Sequence, residues 1–322
     1  MDAAPPGAPD AGRAQRELAA ALHLDPAQVL LTAGGSAANN LALSRARGHV
    51  ISQPTEHPSV LRALEALEAG GVEVEFLPVD RRGAVAPAAL ARALRADTSL
   101  VALMHGNNET GCLQPIPALA AALRGHPARL HVDAVQTAPW FDVRPGTLGA
   151  DTVSVSFHKL GGPPGVGALL GRRPPAAPSL PLTPDVLAGV LAAWAARRPH
   201  VAAEVADSRD RLQAALAARV PGLTVHAADG PRLPGILSVS CAGVNGDALV
   251  LELEASGIAV GTGSACASGD PAPSHVLRAL GVSAAAARAS LRFSWESPLP
   301  EAVVERIVET YARGVERLSS LG

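Results

Sequence analysis

The stretch DTVSVSFHKLGGPPGVGAL, residues 151–169, decides how this chain is read. DTVSVS alternates in the manner of a strand. It delivers a single cationic side chain, Lys159, into a turn rich in glycine and proline. Lysine is rarely buried without a partner or a task. Lys159 is also the only lysine among the 322 residues, so any role that needs a side-chain amine falls on this one position.

Outward from residue 151 the same pattern repeats. VLLTAG (29–34), HVISQ (49–53), VEVEFLPV (72–79), SLVALMH (99–105) and RLHVDAV (129–135) read as strands. Between them SAANNLALSRAR (36–47), HPSVLRALEALEAG (57–70), PAALARALRA (87–96) and IPALAAALRG (116–125) space their apolar residues as helices do. Strands alternating with helices predict an α/β fold with a mostly parallel, twisted sheet covered by helices. Ligands of such sheets sit at the carboxyl ends of the strands.

The proline-rich GRRPPAAPSLPLTP (171–184) marks a break. Helices are expected at about 184–197 and 200–219, strands at LTVHAA (223–228) and GILSVSCAG (235–243), and a helix at about 245–256. The C-terminal stretch is an amphipathic helix, with Val304, Ile307, Val308, Tyr311, Val315 and Leu318 as its apolar stripe. The expected organisation is a flexible tail over 1–14, a large domain over 15–182 and a smaller C-terminal α/β domain over 183–322.

Apolar residues make up 48% of the chain, enough for a sizeable core, and the formal net charge is -2. That balance argues against a protein built to bind nucleic acid or an acidic membrane. No apolar run is long enough to span a bilayer, and the first residues lack the pattern of a secretory signal. The three cysteines, Cys112, Cys241 and Cys266, have no paired spacing, which suggests reduced thiols and a cytoplasmic protein. Cys241 reads as a core thiol and Cys112 as structural.

An amine in a half-buried turn is a candidate for Schiff-base chemistry with pyridoxal phosphate, PLP. Such a site needs a carboxylate for the pyridine nitrogen, and Asp133 ends the strand before the lysine strand. Gln136, three residues on, could donate to the phenolic oxygen. TAGGSAANN supplies Gly35 and Ser36 where a helix opens, a position that favours an anion. Ser156 and His158 flank the lysine and could close a phosphate cup. His57 could stack on the ring and carry protons. Taken singly, Asp133 could equally be a strand-end cap and His57 simply the start of a helix.

The motifs TAGGSAANNLAL, TEHPSV, MHGNNETG, HVDAVQ, SVSFHK, GPPGVGAL, GTGSACASGDPAPSHVLRALG and SLRFS, in this order, resemble those of the cysteine desulfurases. These belong to the class V aminotransferase group of fold-type I PLP enzymes. The resemblance runs from about Val29 to Leu170 and from about Gly235 to Glu296. It implies a homodimer that converts L-cysteine to L-alanine and passes sulfur to an acceptor, an iron–sulfur scaffold or a tRNA-thiolation enzyme. It also implies that Lys159 holds PLP, Asp133 pairs with the pyridine nitrogen, Gln136 with the phenolic oxygen, and His57 stacks on the ring. Gly35, Ser36, Ser156 and His158 would serve the phosphate, and Asn108 would lie beside the ring. Arg292 would grip the substrate carboxylate, and Cys266, in a small-residue loop, would take the sulfur as a persulfide.

Three departures from the family pattern stand out. The chain is expected to lack an L-D-N-A-A-T-like N-terminal segment. PPAAPSLPLTPDVLAG replaces a glycine-rich segment whose threonine reaches the neighbouring subunit's phosphate. Ala37 stands where a glutamate is usual. They leave open a pared-down PLP-binding paralogue acting through partners, and a selenocysteine lyase or aminotransferase shares the PLP residues.

Overall fold

The computed structural model describes residues 9–172, 174–262 and 272–320. The chain folds as two compact units. The first comprises the chain up to Pro78, Val85–Gly106 and Pro115–Pro199. The second comprises Val79–Ala84, Asn107–Gln114 and the chain from His200 onward.

The first unit contains, in chain order, α1 (Ala11–Leu22), β1 (Val29–Thr32), α2 (Gly35–Leu43), β2 (His49–Ser52), α3 (Pro58–Ala69), β3 (Glu73–Phe76) and α4 (Pro87–Ala93). There follow β4 (Thr98–Met104), α5 (Ile116–Ala122), β5 (Arg129–Asp133), α6 (Pro145–Leu148), β6 (Thr152–Ser156), β7 (Gly167–Gly171) and α7 (Pro184–Ala195). Among the described residues its sheet has seven strands in the order β1-β7-β6-β5-β4-β2-β3. β2, β3, β4, β5 and β6 run parallel, while β7 is antiparallel to both β6 and β1. Strands buried on both faces need apolar residues throughout, and Val101, Ala102, Val132, Val153 and Val155 are each fully buried. The edge strand β3 is largely exposed and carries Glu73 and Glu75, charges that discourage pairing with another chain. α2 and α3 cover one face, burying Ala38, Ala42, Leu43, Val60 and Leu64 over Leu30, Val50, Leu100 and Leu169.

Two of the expected boundaries move. Residues 11–14 are not tail: Asp10 caps α1 by accepting the Arg13 N–H at 3.0 Å, and Ala14 is fully buried. α7 was expected in the C-terminal domain but belongs to the first unit. Its Leu187, Val190 and Trp194 are buried, and it packs on α1 and on the short 3₁₀ turn Phe157–Leu160. The division in the chain therefore falls after Pro199 and not at 182.

The second unit contains α8 (Ala202–Arg219), β8 (Leu223–Val225), β9 (Ile236–Cys241), α9 (Gly246–Ala255), β10 (Gly261–Thr262), α10 (His275–Ala279), α11 (Ala284–Arg288), β11 (Ser290–Ser294) and α12 (Glu301–Ser319). Its sheet is antiparallel, in the order β10-β11-β9-β8. The expected stripe of α12 lies on this sheet's core, with Tyr311 fully buried and Leu318 at its margin. Cys241 is a core thiol of this unit. Cys112 is buried against Ala227, Val276 and Leu280. Among the described residues no helix is long and apolar enough to cross a membrane.

Candidate active site

Four features of the first unit meet at one end of its sheet, because β1, β2, β5 and β6 all run the same way. After β1 the chain turns at Gly34, whose φ of 89° suits glycine, and enters α2 with Gly35 and Ser36 in its first turn. The backbone N–H groups there have no carbonyl one turn earlier in the helix and point out of its end. Gly35 is needed for closeness. A Cβ at this position would lie 2.8 Å from Val135 Cγ2 and 3.3 Å from Ser156 Cβ. The helix end is thereby held against the ends of β5 and β6. Ser156 Oγ lies 2.8 Å from His158 Nδ1, and burial first and the Lys159 charge second lower the pKa of His158. Of the four residues expected to serve a phosphate, Gly35, Ser156 and His158 are brought together here, and Ser36 lies in the first turn of α2. Lys159 is half-buried in the 3₁₀ turn Phe157–Leu160 that directly follows β6.

Asp133 ends β5. It is 6% exposed, with Oδ1 accepting the Val135 N–H at 3.0 Å and Oδ2 accepting from Asn39 Nδ2 at 2.7 Å. Burial, the largest influence, raises its pKa, and the two hydrogen bonds and His57 oppose that. Among the described residues no ion pair neutralises it. Gln136 is half-buried in the turn that follows. His57 caps α3: its Nδ1 accepts the Ser59 N–H at 3.1 Å and lies 2.8 Å from Ser59 Oγ.

Several residues behind these are not evident from the sequence motifs. Asn39 joins Asp133 to Ser59 and to His131, and His131 is buried with its pKa lowered to about 3 by desolvation. Glu56, beside His57 in the chain, is 1% exposed and accepts the Met104 N–H and Gln53 Nε2. A signal was present for His131. It alternates with Asp133 on β5, and their register partners Thr152 and Ser154 belong to β6, TVSVS, in which polar residues alternate with valines.

The second unit holds Asn108 and Arg292. Asn108 lies in a turn in which Asn107 Oδ1 accepts the N–H groups of Glu109 and Thr110, each at 2.9 Å. Arg292 of β11 donates from Nη1 to the Asn108 carbonyl at 2.9 Å. Its buried Nε has no hydrogen-bond partner among the described residues. Glu109, 5% exposed, accepts from Ser274 Oγ, and burial raises its pKa. Cys266 lies outside the described residues.

Comparison with known proteins shows the family to which the chain is similar. A family profile described as aminotransferase class-V matches residues 11–184 and 190–310. A curated relative named cysteine desulfurase IscS, from Anaeromyxobacter sp. (strain Fw109-5), is 36% identical over 335 residues, covering 96% of this chain and 82% of its own. A solved structure titled NifS-like protein superposes with a TM-score of 0.80 at 26% identity, covering 96% of this chain and 88% of that one. DndA from Streptomyces lividans gives a TM-score of 0.73 at 34% identity over 88% of this chain and 87% of its own.

Proposed function

Because the chain belongs to the class V aminotransferases and is, within them, a PLP-dependent cysteine desulfurase, we propose that it takes sulfur from L-cysteine as a persulfide on Cys266, releases L-alanine and passes the sulfur to an acceptor protein. The observation that carries the site assignment is Asp133: a buried carboxylate, hydrogen-bonded but without a described ion pair, at the sheet end where Lys159 also stands. That environment fits a ligand bearing a protonated ring nitrogen, since a buried charge needs an opposite one.

The residues present fit PLP at both of its ends. The close approach allowed by Gly35 leaves a helix end, two hydroxyls (Ser36 and Ser156) and His158 for a phosphate. Lys159 Nζ would hold the cofactor covalently, Asp133 would face its ring nitrogen, and Gln136 and Asn108 its polar edge. When bound, PLP supplies an electron sink for the substrate's α-carbon. His57, whose Nδ1 accepts the Ser59 N–H, is the residue that would give or take a proton. Arg292 would hold the substrate carboxylate, and its unused Nε supports that role. Cys266 Sγ, as thiolate, forms a bond to the substrate's sulfur while the substrate's Cβ–S bond breaks. The bonding pair stays on carbon, which takes up the proton released by the substrate thiol, so no external oxidant or reductant is needed.

The first unit serves as the cofactor domain, and the chain beyond it carries the cysteine loop. The active form is a cytoplasmic homodimer, and its acceptor is an iron–sulfur scaffold or a tRNA-thiolation enzyme, as the resemblance implies. The test is Cys266→Ser. The variant is expected to keep the visible cofactor band while losing alanine and sulfide production from cysteine. Equal alanine production by the variant and the wild type would refute the role of Cys266.

A further inference from the structure

We propose that Asn39 is a positioning residue whose single carboxamide sets both the Asp133 carboxylate and the His57 ring. The proposal rests on the reading that these two groups serve PLP.

Asn39, on α2, is 1% exposed, and every polar hydrogen and acceptor of its side chain is engaged. Nδ2 donates to Asp133 Oδ2 at 2.7 Å and to Ser59 Oγ at 3.1 Å. Oδ1 lies 3.1 Å from His131 Nε2. The partners fix which end of the amide is which. A carboxylate can only accept, so the nitrogen faces Asp133 and the oxygen faces His131. His131 must then carry its hydrogen on Nε2 and accept at Nδ1 from the Thr152 hydroxyl, 3.0 Å away. This imidazole is held neutral by its burial, consistent with one hydrogen shared in this direction.

The other branch is also directional. The Ser59 N–H points at His57 Nδ1, so that nitrogen is an acceptor. Ser59 Oγ, 2.8 Å from the same nitrogen, must donate to it, and it does so while receiving a hydrogen from Asn39. The hydrogen bonds therefore run one way, from Asn39 through Ser59 to His57. A neutral His57 ring would then carry its hydrogen on Nε2. Four elements, α2, α3, β5 and β6, contribute to the network. Asn39 is hydrogen-bonded to Asp133 on one branch and to Ser59 on the other.

The experiment uses ¹⁵N spectra of the histidine rings and the PLP dissociation constant, measured on the full-length chain with and without cofactor. Asn39→Asp keeps an acceptor for His131 but replaces the donor toward Ser59 by an acceptor. The Ser59 hydroxyl is expected to turn round, and His57 Nδ1 to become protonated, while His131 keeps its wild-type signature. Asn39→Leu, of similar volume, is expected to weaken PLP binding about ten-fold or more, as loss of a hydrogen bond to a charged group does. Packing alone would move neither ring signature. The proposal is overturned if Nδ1 of His57 stays an unprotonated acceptor in Asn39→Asp, or if Asn39→Leu binds PLP within two-fold of wild type. Should the Asn39 variants fail to fold, Ser59→Ala decides. Loss of the hydroxyl donor must move the His57 Nδ1 resonance downfield, and an unmoved resonance overturns the relay. A wild type that binds no PLP would instead refute the assignment of the site, because the ring signatures are read without cofactor.

Discussion

Replacing Glu56 by glutamine removes one proton whose energetics can be worked out in advance. Glu56 is 1% exposed, and its pKa is raised from the ordinary 4.5 to about 8, by burial first and by the charge of Asp133 second. Its hydrogen bonds from Met104 N at 2.5 Å and Gln53 Nε2 at 2.9 Å oppose that rise without cancelling it. A carboxyl whose folded pKa lies above its unfolded one contributes stability that is fully present below about pH 4.5. That stability is lost as pH rises toward 8, because the unfolded chain gives up the proton first. The loss is about 1.4 kcal/mol per pH unit inside this window, or about 3 kcal/mol between pH 5 and pH 7. Glu56→Gln keeps an oxygen to accept from Met104 and Gln53 but has no proton to lose. Urea unfolding of the cofactor-free proteins at pH 5, 6 and 7 measures the difference directly. The variant is expected to gain on the wild type by about 3 kcal/mol across those two units. Parallel pH profiles would show that Glu56 is already ionised in the folded state and would refute the reasoning.

Lys159→Ala is expected to lose the visible band that borohydride bleaches in the wild type, since no other lysine exists in the chain. A band that persists with the same reducibility would remove Lys159 from its role. Gly35→Ala places a methyl group 2.8 Å from Val135 Cγ2. It should cost about 1–3 kcal/mol in thermal unfolding, as overpacking does, and weaken PLP retention in dialysis. The double variant Gly35→Ala with Val135→Ala should recover most of both losses. Arg292→Lys keeps the charge but loses the planar fork. It should raise KM for cysteine about ten-fold or more while PLP affinity stays within two-fold, and an unchanged KM would place the substrate carboxylate elsewhere.

The sheet was legible because its signal is local. β2, β5 and β6 fall within the runs read as strands and β4 starts one residue before its run, since an apolar strand between helical spacings can be recognised within a few residues. β7 was not read as a strand. GVGALLG is short, rich in glycine, and becomes a strand by pairing with β6 and β1. The helix at residue 11 was hidden by the proline-rich start before it, and the place of α7 by the proline-rich stretch before that helix, which reads as a domain break. At the site, Lys159, Asp133 and His57 carry their chemistry in their residue type, so they stand out in a motif. Asn39, Ser59 and His131 do not. Their meaning comes from partners 20 to 94 positions away in the chain, which only the parallel register brings together.

β1 has a consequence for the order in which the molecule can assemble during synthesis. Its ladder partner is β7, with Val29 opposite Leu170 and Thr32 opposite Gly167. On its other side the Leu31 N–H donates to Ser179 Oγ at 3.1 Å and the Leu31 carbonyl accepts the Leu180 N–H at 2.9 Å. Every one of those partners leaves the ribosome more than a hundred residues after β1 does. Contacts so distant in sequence form late, because the intervening loop must close first. The strands β2 to β6 can pair as they emerge, while the earliest strand waits beside them. The turn at Gly34 and the helix end that follows it are seated when Gly167 to Leu180 arrive. A nascent chain halted before Gly167 would therefore hold Asp133 and Ser156 in place but have no rim for an anion, and cofactor capture becomes one of the last events in the making of this unit.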